Sequence, residues 1–268
     1  MDVGSGTGIL SMIAARHGAK KVYAVEASDF AHVSRQLVAM NGLEAVVEVV
    51  HACVEDVELD GEEGVDIIVS EWMGFHLLHE SMFDSVIYAR DKWLKGTGIM
   101  LPDIAQVFMA PVNMGHFAAE HFAFWEDYQG FDFSALVPLE VERALQAPQI
   151  LAVAPEQLLA DPQCVARLDC KAVSVEEVRA IRNDLNFKST KEGVCHGFCL
   201  WFTVQFSSPH GVVELSTAPG AEPTHWAQTV ILLPEMLMAQ PGNHIPCKIE
   251  MRPAEDNPRH CVVVLELP

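Results

Sequence analysis

Two glutamates nine residues apart, Glu71 and Glu80, bracket the segment Ser70-Glu71-Trp72-Met73-Gly74-Phe75-His76-Leu77-Leu78-His79-Glu80-Ser81-Met82. On a single strand or helix that separation holds two carboxylates far apart, and only a loop that folds back brings them together. Converged, they form a clamp suited to a guanidinium, whose planar fork of donors matches bidentate acceptors and whose charge persists at physiological pH. The alternative is two unrelated glutamates, one at a strand end and one at a helix start, with His76 and His79 as ordinary loop residues. The run from His76 to Glu80 reads HxxHE and not the HExxH of zinc enzymes, so no metal site is expected.

A second constellation is Asp2-Val3-Gly4-Ser5-Gly6-Thr7-Gly8, where a strand must turn sharply into a helix and glycine lets the backbone approach a ligand closely. Its spacing is GxGxG. The dinucleotide pattern GxGxxG needs glycine where Ile9 stands, which disfavours NAD. With no pyrophosphate to cradle, the helix N-terminus can face the carboxylate of an amino-acid-like cofactor. Glu26 follows about 20 residues beyond the loop at a strand end, where a carboxylate accepts hydrogen bonds from both ribose hydroxyls. Loop and carboxylate together point to an adenosyl cofactor, although Glu26 alone also reads as a solvated strand end. Glu55, in Cys53-Val54-Glu55-Asp56, is placed to meet the adenine amino group or is a surface charge.

The elements that must position these residues alternate in type through the first hundred positions, the pattern of a parallel sheet wrapped by helices. Strands are expected at Lys21–Val25, Ala45–His51, Val65–Ser70 and Gly98–Leu101. Helices are expected at Ile9–His17, stopped by Gly18, at Asp29–Met40, capped by Ser28 and stopped by Asn41-Gly42, and at Glu80–Leu94. Met82, Val86, Ala89 and Trp93 share one face of the last helix and read as core. After Pro102 the texture changes to strands at His196–Phe206, Val212–Ser216, Trp226–Leu233, Cys247–Met251 and Cys261–Leu267, a second and mainly antiparallel domain. Within it Gly115–Phe133 carries seven aromatic residues that pack either as local core or as an arm against another chain.

At 268 residues the chain accommodates two modest domains. Half of it is hydrophobic, with no apolar run near the roughly 20 residues of a membrane span, so a soluble protein with no membrane partner is expected. The opening residues lack signal-peptide character, which points to cytoplasm or nucleus. Seven scattered cysteines without a CxxC pair suggest neither a disulfide framework nor a zinc site. A formal charge of −20 repels nucleic acid and attracts basic polypeptides, or else serves solubility alone.

In order and spacing, Asp2–Gly8, Val25-Glu26-Ala27-Ser28, Ser70–Met82 and Thr224-His225-Trp226 resemble the protein arginine methyltransferases, nearly end to end. The resemblance implies a doubly wound, Rossmann-like class I methyltransferase domain over residues 1–102 that uses S-adenosyl-L-methionine. It implies a β-barrel over 103–268, and a homodimer made by an arm near 112–147. The substrates it implies are arginine- and glycine-rich or histone-like basic proteins. By position Asp2, Gly4, Gly6, Gly8, Glu26, Val54 and Glu55 correspond to cofactor contacts, and Glu71, Glu80 and His225 to catalytic residues. Met82 and Trp226 fall at the substrate, Met82 matching the residue that accompanies asymmetric dimethylation. The stretch from Glu255 to Arg259 before a valine-rich strand resembles the end of the family's barrel.

Members of that family carry a helical segment ahead of the glycine loop, with a YFxxY-like motif and an arginine for the cofactor carboxylate, whereas this sequence opens at the loop. Weaker cofactor binding is expected, together with unpaired backbone groups beside the first strand at about 1–3 kcal/mol for each one buried. Three forms are compatible with this: a shortened active enzyme, a natural inactive short form, and a catalytically silent partner that dimerises with an active relative. The retained Glu26, Glu71, Glu80 and His225 favour the first. The Thr224-His225-Trp226 loop and the C-terminal strands argue against a small-molecule methyltransferase.

Overall fold

Strands and helices alternate as the pattern requires in the computed structural model, which describes residues 1–59 and 64–267. The first half comprises β1 (Asp2–Val3), α1 (Ile9–Arg16), β2 (Val22–Glu26), α2 (Phe30–Met40), β3 (Val47–His51), β4 (Val65–Val69), α3 (Phe83–Trp93) and β5 (Leu94–Leu101). All five strands run parallel in the order β3-β2-β1-β4-β5. From β1 the chain winds outward through β2 and β3, then returns to the other side for β4 and β5. The crevice at the carboxyl ends of β1 and β4 is therefore the switch point where open α/β sheets bind ligands. The glycine loop follows β1 and the Glu71 segment follows β4, so topology alone brings the two constellations together. Ser70 Oγ pins the junction by donating to Val3 O at 2.7 Å.

The expected helix over Glu80–Leu94 starts three residues later, at Phe83, because Glu80 and Ser81 adopt left-handed backbone (φ 82° and 52°) incompatible with a helical turn. Trp72 and Phe83 stack at 3.9 Å and anchor the new start in the core.

The second half contains β6 (Ile104–Val112), α4 (Gly115–His121), α5 (Val137–Gln146), β7 (Gln149–Leu151), β8 (Gln163–Asp169), α6 (Val175–Val178), β9 (Ile181–Lys188), β10 (Gly193–Ser208), β11 (Gly211–Ser216), β12 (Gln228–Ala239), β13 (His244–Pro253) and β14 (Cys261–Glu266). The expected β-barrel is corrected by the pairing: these strands form two antiparallel sheets, β7-β12-β10-β6-β8 with β11 on β10, and β14-β13-β9. No closed ring exists among the described residues. Where β8 faces β9, side chains replace the backbone ladder: Gln163 Nε2 donates to Asn186 O at 2.7 Å, and Asn183 Nδ2 to Val165 O at 3.0 Å. Four strands not expected from the sequence, β6, β7, β8 and β9, belong to these sheets.

One core runs through both halves, joining Val3, Ile68, Phe83 and Val86 to Val107, Phe198, Phe202 and Met251. Arg90 on α3, nearly buried, fastens them further by donating to the carbonyls of Cys170 (3.0 Å) and Val173 (2.7 Å). The aromatic segment stands off this core. No residue from Gly115 to Gln146 is buried, and Trp125, Tyr128 and Phe133 pack on one another while Phe131 is 68 % exposed. No helix among the described residues is long and apolar enough to cross a membrane.

Candidate active site

The glycine loop owes its shape to residues that only glycine can supply. Gly4 and Gly6 have φ of 71° and 52°, and a Cβ on Gly4 would collide with Met82 Cε, so the Glu71–Met82 segment lies directly over the loop. Nothing approaches the Cβ position of Gly6, which leaves open space beside the turn. Glu26 braces the loop from the end of β2: its Oε2 accepts from Gly6 N (2.9 Å), and its Oε1 from Ser28 N (2.9 Å) and Ser28 Oγ (2.6 Å). Partial burial works to raise the Glu26 carboxyl, but the Ser28 and Gly6 hydrogen bonds outweigh it and hold the group below the ordinary carboxylate range.

Asp2 is buried beneath the loop, with Oδ2 accepting from Ser11 N (3.1 Å) and Ser11 Oγ (2.7 Å). Burial pushes its carboxyl up despite those bonds. Asp2 Oδ1 and Ser5 Oγ are buried polar atoms with no protein partner. Glu55 follows β3 next to buried Val54, its Oε1 accepting from Ser85 Oγ at 2.7 Å. The partly exposed carboxylate of Glu26, beside the open space at Gly6, is chemically suited to the hydroxyls of an adenosine.

The Glu71 segment does fold back. Gly74 and Leu77 pair through both backbone bonds (2.9 and 3.0 Å), and the buried side chains of Leu77 and Leu78 hold that turn in the core. A Cβ on Gly74 would strike the backbone carbonyl of His79, which is fixed and cannot swing aside. Gly74→Ala is therefore expected to lower stability by about 1–3 kcal/mol. A urea midpoint equal to the parent's would show that the turn has room for a methyl group.

The fold-back brings Glu80 within electrostatic reach of Glu71, and His225 faces Glu71 from the other half of the molecule. Burial raises the Glu71 carboxyl above its ordinary range and Glu80 adds to the rise, while His225 and the Met73 N–H oppose it. His76 is buried and held neutral, burial and His79 lowering its pKa to about 4. Trp226 packs beside the Glu71 segment. It is buried, donates Nε1 to Met73 O at 2.8 Å and meets Phe202 edge-on at 5.3 Å, so its contact with the site is to hold His225, 3.9 Å from its own ring, against the Glu71 segment.

Sequence reasoning missed Ser11, Ser28 and Ser70, whose hydroxyls hold Asp2, Glu26 and Val3. Ser28 was legible only as a helix cap, a role it also fills weakly through Phe30 N at 3.3 Å.

Residues 1–100 match the family model described as ribosomal protein L11 methyltransferase (PrmA), and residues 103–268 match the arginine methyltransferase oligomerization subdomain. Protein arginine N-methyltransferase 6 of Xenopus laevis is 40% identical over 269 residues, covering 99% of this chain and 78% of that one. Among solved structures, the Trypanosoma brucei arginine methyltransferase 1 enzyme–prozyme heterotetramer with AdoHcy superposes with a TM-score of 0.88 at 33% identity, covering 99% of this chain and 82% of that chain. Arabidopsis thaliana protein arginine methyltransferase 10 gives 0.85 at 35% identity, with 98% and 82% covered. Fold and crevice thus define a methyltransferase of the class that draws its methyl group from S-adenosyl-L-methionine. Within that class, the chain belongs to the protein arginine N-methyltransferase family.

Proposed function

We propose that this chain methylates arginine guanidinium groups of basic proteins, to asymmetric dimethylarginine, as a homodimer in cytoplasm or nucleus. The observation that carries this is that Glu80 and His225 both lie within electrostatic reach of Glu71, in a segment whose Met82 packs on Gly4 of the glycine loop. S-adenosyl-L-methionine, when bound, supplies an electrophilic sulfonium methyl group. Asp2, Gly4, Gly6, Gly8, Glu26, Val54 and Glu55 would hold it in the crevice. Glu71 and Glu80 grip two nitrogens of the guanidinium, concentrate positive charge there and aim the third nitrogen at the methyl carbon. Positioning of this kind supplies most of the rate. Methylation would leave the nitrogen with a proton to shed, which Glu80 or His225 would accept. Met82 supports the asymmetric product class, and the net charge of −20 supports arginine/glycine-rich or histone-like substrates over nucleic acid. The exposed aromatic arm supports the dimer: Ile9 and Ile13 on α1 and Phe30 and Val33 on α2 are exposed apolar side chains that a second copy's arm can cover.

Labelled S-adenosyl-L-methionine, an arginine/glycine-rich peptide and amino-acid analysis of the product test this reading, with light scattering for the dimer. A chain that labels the peptide only after a relative's full-length subunit is added is a silent partner, and the proposal of intrinsic activity then fails.

Activity should also fall as pH drops, because the clamp works with both carboxyls ionised. With Glu71 raised, the acid limb of kcat/KM lies above the ~4.3 of a free glutamate. In the kcat profile the limb moves to lower pH, since a bound guanidinium favours the charged carboxylate. A kcat/KM limb at or below the free-glutamate value contradicts the upward shift that partial burial gives Glu71.

A further inference from the structure

Glu80 reaches the clamp with a backbone that no local feature explains. It and Ser81 are consecutive non-glycine residues in the left-handed region, a conformation that surrounding structure must impose. What imposes it lies about 180 residues onward, in the turn from Glu255 to His260 between β13 and β14. Glu80 N donates to Arg259 O at 2.6 Å, and Ser81 Oγ donates to Pro258 O at 2.6 Å. One residue earlier, His79 stacks on His260 with ring centroids 5.1 Å apart and planes 9° from parallel. The turn is itself braced from within, Asn257 Oδ1 accepting from Arg259 N at 3.1 Å and Asn257 O from His260 N at 2.9 Å. Just beyond, Arg179 grips Asp84 in the first turn of α3 through Nη2 at 2.6 Å and Nε at 3.0 Å, so the C-terminal half holds both ends of the Glu80–Asp84 stretch.

We propose that the β13–β14 turn is a positioning element for the active-site clamp: by capturing the Glu80 amide and the Ser81 hydroxyl it sets where the Glu80 carboxylate stands relative to Glu71. The inference rests on the arginine-methylation reading above for its kinetic consequence, but not for its structural one. Asn257 and Ser81 are positioning residues that never meet the substrate. They act by fixing the conformation from which Glu80 projects.

Two variants test this in the full chain, Asn257→Ala, which removes the brace of the turn, and Ser81→Ala, which removes one of its two grips. Each is expected to lower kcat for the arginine peptide on the order of tenfold. Cofactor Kd, read by calorimetry, should stay within about twofold because Glu26 and the glycine loop are untouched. Asn257→Asp keeps the acceptor for Arg259 N and should restore most of the loss. Independently of catalysis, hydrogen exchange at the Glu80 amide should accelerate on the order of tenfold or more in Asn257→Ala, since its bond to Arg259 O is the one loosened. Unchanged kcat in both variants overturns the proposal. So does a loss of cofactor affinity in step with kcat, which would make the turn a prop for the fold alone, or unchanged exchange at Glu80. If the unaltered chain fails to label the peptide, the functional reading fails by itself, and the amide exchange still decides whether the turn holds Glu80.

Discussion

Glu71→Gln and Glu80→Gln will each lower kcat/KM for an arginine peptide by on the order of a thousandfold while leaving cofactor affinity within about twofold. The amide is nearly isosteric, so the loss is one of charge and of acceptor geometry. A carboxylate offers a guanidinium two acceptor oxygens and a full negative charge; glutamine offers one oxygen and turns an NH2 group toward a donor. Neither variant disturbs the Glu26 hydrogen bonds to Gly6 and Ser28, which lie at the end of β2 and not in the Glu71 segment. Glu71→Gln has a second signature. The acid limb of the pH profile assigned to Glu71 disappears. Undiminished turnover by either variant would falsify the clamp.

Glu26→Ala should raise the cofactor Kd by on the order of a hundredfold, with a smaller effect on kcat once cofactor saturates. Its carboxylate accepts three hydrogen bonds from the protein, from Gly6 N, Ser28 N and Ser28 Oγ. Hydrogen bonds to charged groups contribute about 1.5–3 kcal/mol each, so their removal frees the glycine loop from β2 and also deletes the ribose acceptors. Glu26→Gln falls between, because its amide oxygen still accepts from one side while its NH2 faces a donor on the other. Isothermal titration with S-adenosyl-L-methionine reads both variants. Parental affinity in Glu26→Ala would mean that the ribose is held elsewhere.

Much of this site was legible in the amino-acid order because it depends on short-range chemistry. The GxGxG turn, a carboxylate about 20 residues later, and two glutamates around a strand end are all spacings along the chain. They act through local backbone geometry and the right-handed winding of strand and helix. For the same reason the element order of the first half emerged with errors of a few residues at the ends. The second half was harder. β6 contains Pro111, β8 mixes polar and apolar residues without regular alternation, and in β9 the alternation of Ile181, Leu185 and Phe187 is broken at Asn183; their order comes from partners distant in sequence.

Only the tertiary structure decided the rest. The convergence of Glu71 with Glu80 and His225, the burial of Trp226 against Met73, the open edge between β8 and β9, and the capture of Glu80 by Arg259 each join residues far apart in the chain. Local propensity even misled at Glu80, where a helix was expected and a left-handed pair stands, because two hydrogen bonds from a distant turn outweigh the intrinsic preference of two residues. Sequence determined which groups this chain has for holding a methyl donor and a planar cation. Packing between the two halves decided where those groups point, since the contacts that aim them form only when strands and turns far apart in sequence come together.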